Sequence, residues 1–152
     1  MYCTGGDLKG FKGDHFDTHG DNFNRLNNNM LPPLDQAATA LIGDLKARSM
    51  LEETLVVLLT EFGRTPKING GAGRDHFPDG YSVAFAGGEV ESGQVYGSSA
   101  AIGAKPGTKP CGPPDLHATI FNALGIDPRQ MIMDRDNRPL PISDGNPLPL
   151  FS

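Results

Sequence analysis

The sequence predicts an α/β fold, and three segments predict it. Leu34, Ala37, Ala38, Leu41, Ile42 and Leu45 recur at three- and four-residue steps, the period of an amphipathic helix. Thr54 to Thr60 is an unbroken apolar run of strand length, rich in β-branched residues. Leu116, Ile120, Phe121 and Leu124 then share a second helical face.

Each element can be justified in chain order. Residues 1–29 form a polar, glycine- and asparagine-rich lead-in with neither helical nor strand period, so it is expected to be irregular. Leu31-Pro32-Pro33-Leu34 opens the first helix, because proline is tolerated in a first turn, and the helix is expected over about 33–49. The run 54–60 suits a strand buried on both faces of a parallel sheet, and a helix followed by such a strand is half of a βαβ unit. Tyr81 to Ala86 is a second strand candidate, and Gln94 to Tyr96 a short third. Asp115 to Leu124 reads as a helix entered through Pro113-Pro114 and stopped by Gly125. From 127 to 152 the chain is proline- and aspartate-rich, which predicts turns and short extended pieces.

Composition bounds the function classes. With 152 residues, 38% apolar and 20% charged, the chain reads as one globular domain rather than a disordered segment. A net charge of -5 argues against generalised binding to nucleic acid or anionic membranes. No stretch approaches the roughly 18 apolar residues that read as a membrane span. No export signal is read in the first residues, which are polar rather than an apolar run. Cys3 and Cys111 lie in no metal-binding spacing, and whether they pair depends on a compartment that no residue indicates. Two helices and two or three strands are few for an independent doubly wound sheet. The strand expected before the first helix is missing, so the chain is expected to be a partial domain, truncated at its N-terminus.

Two clusters carry candidate chemistry. Ligands gather at strand carboxyl ends in open α/β sheets. There, after the apolar run, comes a connection of about twenty residues, from Glu61-Phe62-Gly63-Arg64-Thr65-Pro66 to Arg74-Asp75-His76-Phe77-Pro78. Its acids, arginines and histidine are side chains that bind anions or metals. The bland alternative is a solvated loop whose arginines pair with nearby carboxylates. The second cluster is Asp17-Thr18-His19, whose first and third residues point to one side of an extended backbone. A carboxylate oxygen beside an imidazole nitrogen suits zinc, manganese or iron. Read alone, His19 is as readily a hydrogen-bonded loop histidine, and His15 has less to recommend it. Gly70-Gly71-Ala72-Gly73 is no phosphate loop, because no Gly-Lys-Ser/Thr follows. Asp134 and Asp136 begin like a calcium loop but lack its glycine and distal glutamate.

Taken together, these segments resemble the DUF1501 family of uncharacterised bacterial proteins. The resemblance rests on Phe16-Asp17-Thr18-His19-Gly20-Asp21-Asn22, Leu31-Pro32-Pro33-Leu34-Asp35 and Glu53-Thr54-Leu55-Val56-Val57. It continues through Glu61-Phe62-Gly63-Arg64-Thr65-Pro66, Gly73-Arg74-Asp75-His76-Phe77-Pro78 and Asp115-Leu116-His117-Ala118-Thr119-Ile120. Phe16 and Phe77 stand where many members carry tryptophan. The family in turn resembles the alkaline phosphatase and sulfatase superfamily, which implies a three-layer α/β/α fold with a largely parallel sheet, of which this chain would be the C-terminal portion.

By that resemblance the parent protein is a metal-dependent phosphate- or sulfate-ester hydrolase. Asp17, His19, Glu61 and His76 would be metal ligands, for zinc, manganese or iron. Arg64, Arg74 and Asp75 would bind the anionic substrate, with Asp75 alternatively orienting His76 or supporting the ligands from behind. Phe62 departs from the superfamily, which has histidine or asparagine there, so one ligand is absent. The superfamily nucleophile lies on the first strand of an N-terminal half of the same fold; that half is expected outside this chain and is its expected partner. The isolated chain is accordingly expected to be inactive, with an unpaired strand edge. Export to the periplasm or the extracellular space is common in the family. A second reading keeps the fold and drops catalysis, leaving an exported protein that holds a glycan or polyanion in a degenerate cleft.

Overall fold

The structure, a computed structural model, describes residues 16–151; Cys3 and His15 lie outside them. Both helices and strands are present, as an α/β mix requires. The chain opens with a helical run: α1 (Asn22–Arg25), a wider π-helical turn (Leu26–Met30) and α2 (Leu31–Ala47). The end of α2 falls within two residues of its expected position. The stretch 22–29 was expected to be irregular and is instead helical. Asparagine is a poor helix former, but here tertiary contacts hold the first turn. Asp21 and Asn22 donate their backbone N–H groups to Gly71 and Ala72 carbonyls at 2.9 and 3.0 Å. The buried Asn22 side chain accepts a hydrogen bond from Thr18, and Met30 is fully buried at the far end.

The π turn has a local cause. Pro32 and Pro33 lack N–H groups, and their rings crowd the carbonyls four residues back. Leu31 donates instead to Leu26, five residues back, and the widened turn admits the two prolines without ending the helix.

The strands differ from expectation in pairing. β1 (Val56–Leu58) is shorter than the apolar run 54–60 and pairs antiparallel with β4 (Ala84–Ala86), Val57 facing Phe85. β2 (Gly63–Arg64) pairs with β3 (His76–Phe77), and β5 (Ser98–Ser99) with β6 (Pro106–Thr108). The 94–96 stretch, expected as a strand, lies just before β5. All four ladders among the described residues are antiparallel pairs, so the largely parallel sheet is not found among them. The physical reason is visible at β1. Leu58 and Leu59, adjacent and so on opposite faces, are both about half-exposed, so the apolar run is not enclosed on both faces, and its edge opposite β4 carries no strand among the described residues. Likewise the apolar face of α2 is only partly covered: Leu34, Ala37, Ala38, Ile42 and Leu45 are half-buried and Leu41 is exposed.

The best-packed region lies around α3 (Pro113–Ala123), one residue from the predicted end. Gly125, at φ 73°, closes it as anticipated: Gly125 N–H bonds to Asn122 and Ile126 N–H to Phe121, a Schellman stop. Leu116, Ala118 and Thr119 are buried on its inner face, and Leu150 is buried as well. The proline-rich tail first makes a hairpin of β7 (Met131–Met133) and β8 (Pro139–Pro141). Its turn is closed by the Asp134 carboxylate, which accepts the Asp136 and Arg138 N–H groups, so the aspartates there serve a turn rather than a calcium loop. The last residues then run along α3. Leu148 N–H donates to Thr119 Oγ1 at 2.9 Å, Ser143 Oγ to Pro114 O at 2.7 Å, and Asn146 N–H to Asp115 Oδ1 at 2.9 Å.

Asp115 thus joins two ends, since its other oxygen accepts the Gly112 N–H at the start of α3. These two backbone donors hold its carboxyl below the ordinary carboxylate value. A group ionising more readily folded than unfolded stabilises above its unfolded value, about 3.9 for aspartate, and loses that contribution as pH falls through the folded value. Asp115→Asn is therefore expected to lower Tm at pH 7 by about 5 °C, the effect of losing about 1–2 kcal/mol in a domain of this size. Melting scans should show the deficit shrinking as pH drops from about 5 to 3. A deficit independent of pH would refute the carboxylate's role.

Candidate metal centre

Two segments distant in sequence build the site. The first is 16–20. Thr18 is buried and its carbonyl accepts the Arg74 N–H at 3.1 Å, so Asp17 and His19, on either side, turn outward together. The second is the β2–β3 ladder, in which Arg64 lies directly opposite His76. The connection 65–75 between these strands folds back on 19–22. Gly73 is the tightest point of that approach: a Cβ there would lie 1.9 Å from the His19 carbonyl oxygen. Only glycine allows the two backbones to meet so closely.

The side chains of Asp17, His19 and His76 converge on one point. His76 Nε2 lies 2.7 Å and His19 Nε2 3.0 Å from Asp17 Oδ1, and the two imidazole nitrogens are 3.2 Å apart. Atoms about 2.0–2.2 Å from a shared ion lie roughly 3.0–3.5 Å from one another, so the group is close to ligand spacing without rearrangement. His19 Nδ1 lies 2.7 Å from Asp75 Oδ1. That carboxylate is an acceptor, which puts the His19 proton on Nδ1 and leaves Nε2 bare in the neutral ring. In that tautomer the Nε2 lone pair faces the same point as Asp17 Oδ1, 3.0 Å away. Imidazole backed by a carboxylate is the arrangement that orients metal-ligating histidines. The three side chains are each about half-exposed, 55% for Asp17 and 48% for each histidine, so an ion held by them would remain open to a further ligand.

Electrostatics favour the ionised carboxylate. Asp17 is pushed down to about 2, chiefly by the His76 hydrogen bond and then by that from Arg64. Asp75 is lowered too, first by its bond to His19.

The remaining expected residues fall into different places. Glu61 is exposed in the turn before β2 and is not in the Asp17, His19 and His76 group. Arg64 is not a free anion clamp. Its Nη2 donates to Phe16 O at 2.7 Å and Asp17 Oδ1 at 2.8 Å, and its Nη1 to Arg74 O at 3.1 Å. It therefore stitches the two segments together and orients the carboxylate. Arg74 donates from Nη2 to Pro66 O at 3.3 Å, and its buried Nε has no partner among the described residues. Asp75 bonds to His19, 56 residues away, rather than orienting its neighbour His76. Phe62 stacks on His76, ring centroids 4.2 Å apart at 32°, and so supports the ring rather than offering a ligand.

Sequence reasoning missed Asn69. Its Oδ1 accepts the Gly71 and Gly73 N–H groups at 2.9 Å each, closing the loop. The signal was available: asparagine before Gly70-Gly71 is a turn pattern in which the side chain bonds to backbone two residues on.

A family model described as "Protein of unknown function (DUF1501)" matches residues 5–149. No curated protein matches the chain, and no solved structure does. Among the described residues no helix is long and apolar enough to cross a membrane.

Proposed function

The chain belongs to the DUF1501 family, and from that premise we propose that it carries the metal-binding residues of a hydrolase acting on phosphate or sulfate esters. The observation that carries this reading is the convergence of Asp17, His19 and His76, with Asp75 behind His19. Two imidazoles and one carboxylate suit zinc, manganese or iron. A bound ion would polarise the ester oxygen and stabilise the charge that develops on it. The chain's own residues do the rest. His76 first and Arg64 after it keep Asp17 ionised, and Arg64 aims it at the centre. Asp75 holds the His19 proton on Nδ1 and thereby presents Nε2. Phe62 fixes the plane of His76. Half-exposure of the ligands leaves the side where an anionic ester would enter.

The alkaline-phosphatase-like α/β/α sheet belongs to the same proposal. Support comes from the continuous apolar sequence of 54–60 and from the edge of β1 left without a strand among the described residues. A further segment of the family fold is the partner proposed for that edge.

Aryl phosphates and aryl sulfates, assayed with zinc, manganese and iron(II) in turn on the protein that carries this chain together with that further segment, test the reaction. Metal-dependent release of the aryl alcohol, lost on Asp17→Asn, is expected. Stoichiometric metal without turnover of either ester class would overturn the hydrolase reading. It would favour the exported, non-catalytic glycan- or polyanion-binding alternative, to which Phe62 at an expected ligand position already points.

A further inference from the structure

We propose that Asn69 is the positioning residue of this centre, holding His19 at both ends through a closed ring of hydrogen bonds; the inference rests on the metal-site reading above. Asn69 Nδ2 donates to the His19 carbonyl oxygen at 3.0 Å and to Asp75 Oδ1 at 3.1 Å. That same Asp75 oxygen is the partner of His19 Nδ1 at 2.7 Å. The circuit runs from the His19 backbone to Asn69, on to Asp75 and back to the His19 ring. One amide therefore fixes both the main chain of the ligand and the carboxylate that orients its imidazole.

The remaining capacity of Asn69 is used as well. Oδ1 accepts from Gly71 and Gly73, so both lone pairs and both amide protons have partners. This also settles which way the amide points, since two N–H donors face one end and two oxygens the other. No other residue type supplies two donors and two acceptors in so short a side chain. Aspartate keeps the acceptors toward Gly71 and Gly73 but turns an oxygen on the His19 carbonyl and on Asp75. Alanine removes both functions.

Cobalt(II) titration followed by its visible spectrum, on the wild-type chain and on N69D, N69A, D75A and N69A/D75A, tests the idea. N69D and N69A should each bind cobalt about 10–100-fold more weakly, the usual consequence of losing a partner behind a ligand. The double variant should bind more weakly than D75A alone but by clearly less than the product of the two single losses, because the bond to Asp75 is shared and only that to the His19 carbonyl is independent; fully additive losses would mean a loop staple only and would overturn the proposal. Nitrogen-15 NMR of the metal-free chain gives an independent readout. His19 should hold its proton on Nδ1 in the wild type and lose that preference in N69D, where the loop acceptors persist. An unchanged tautomer in N69D would also overturn it. Should the wild type bind no cobalt, the metal reading fails by itself, and the tautomer result still decides the role of Asn69.

Discussion

Replacing His19 and His76 together by alanine is expected to abolish metal retention. Elemental analysis of the wild-type chain should find near-stoichiometric zinc, manganese or iron, and the double variant should contain none. In titrations the affinity should fall by more than about a thousandfold, since loss of even an outer partner costs ten- to a hundredfold. Folding should survive, because both side chains are half-exposed and neither belongs to the buried set of Met30, Leu116, Ala118 and Leu150. His117→Ala is the matched control: this histidine is exposed on α3, away from the Asp17, His19 and His76 group. Equal metal content in the wild type and the double variant would refute the centre.

The second large effect is expected from a single methyl group. Gly73→Ala places a carbon 1.9 Å from the His19 carbonyl oxygen and 2.1 Å from its carbonyl carbon, both backbone atoms that cannot rotate away. The loop 65–75 must then move off residues 19–22. The bond from Arg74 N–H to Thr18 and those from Asp21 and Asn22 to the loop carbonyls are all at risk. A cost of about 3 kcal/mol is in keeping with overpacking that displaces backbone, and metal affinity should fall with it. Gly70→Ala, three residues earlier, meets nothing within 4 Å and should leave both nearly unchanged. Urea melts of the two variants make the comparison; a mild Gly73→Ala would show that the close approach does not hold the site.

How far the sequence could be read follows from the range of the interactions involved. Residues three or four apart on a helix meet whatever the rest of the chain does, so the repeat from Leu34 to Leu45 and the Gly125 stop were legible. The Asp17-Thr18-His19 pairing was named from alternation along an extended backbone, whereas the chain there makes a tight turn, His19 N–H bonding to the Asp17 carbonyl at 3.2 Å, that still brings both side chains to one point. The turn of helix at 22–30 was not legible, because asparagine has little helical preference of its own and the contacts that hold it come from residues 69–73. Nor was the pairing of β1, whose apolar run allows a parallel or an antiparallel neighbour alike.

The side chains of the site divide in the same way. Donor type is a property of the residue, so carboxylate, imidazole and guanidinium chemistry could be named at Asp17, His19, His76 and Arg64 from the sequence alone. Which of them would meet was a matter of chain path. Arg64 could have faced an anion, but the backbone at Phe16 and Arg74 comes within reach of its guanidinium and takes its hydrogen bonds. Asp75 could have served the neighbouring His76, yet the strand β3 sets His76 against Asp17 and the loop carries Asp75 to His19. Sequence by itself therefore determined α2 and α3, where each of them stops, and the kinds of donor atom. Only the tertiary structure decided the partners, because hydrogen bonds across 47 to 59 residues depend on where the whole backbone runs, and no local pattern encodes that.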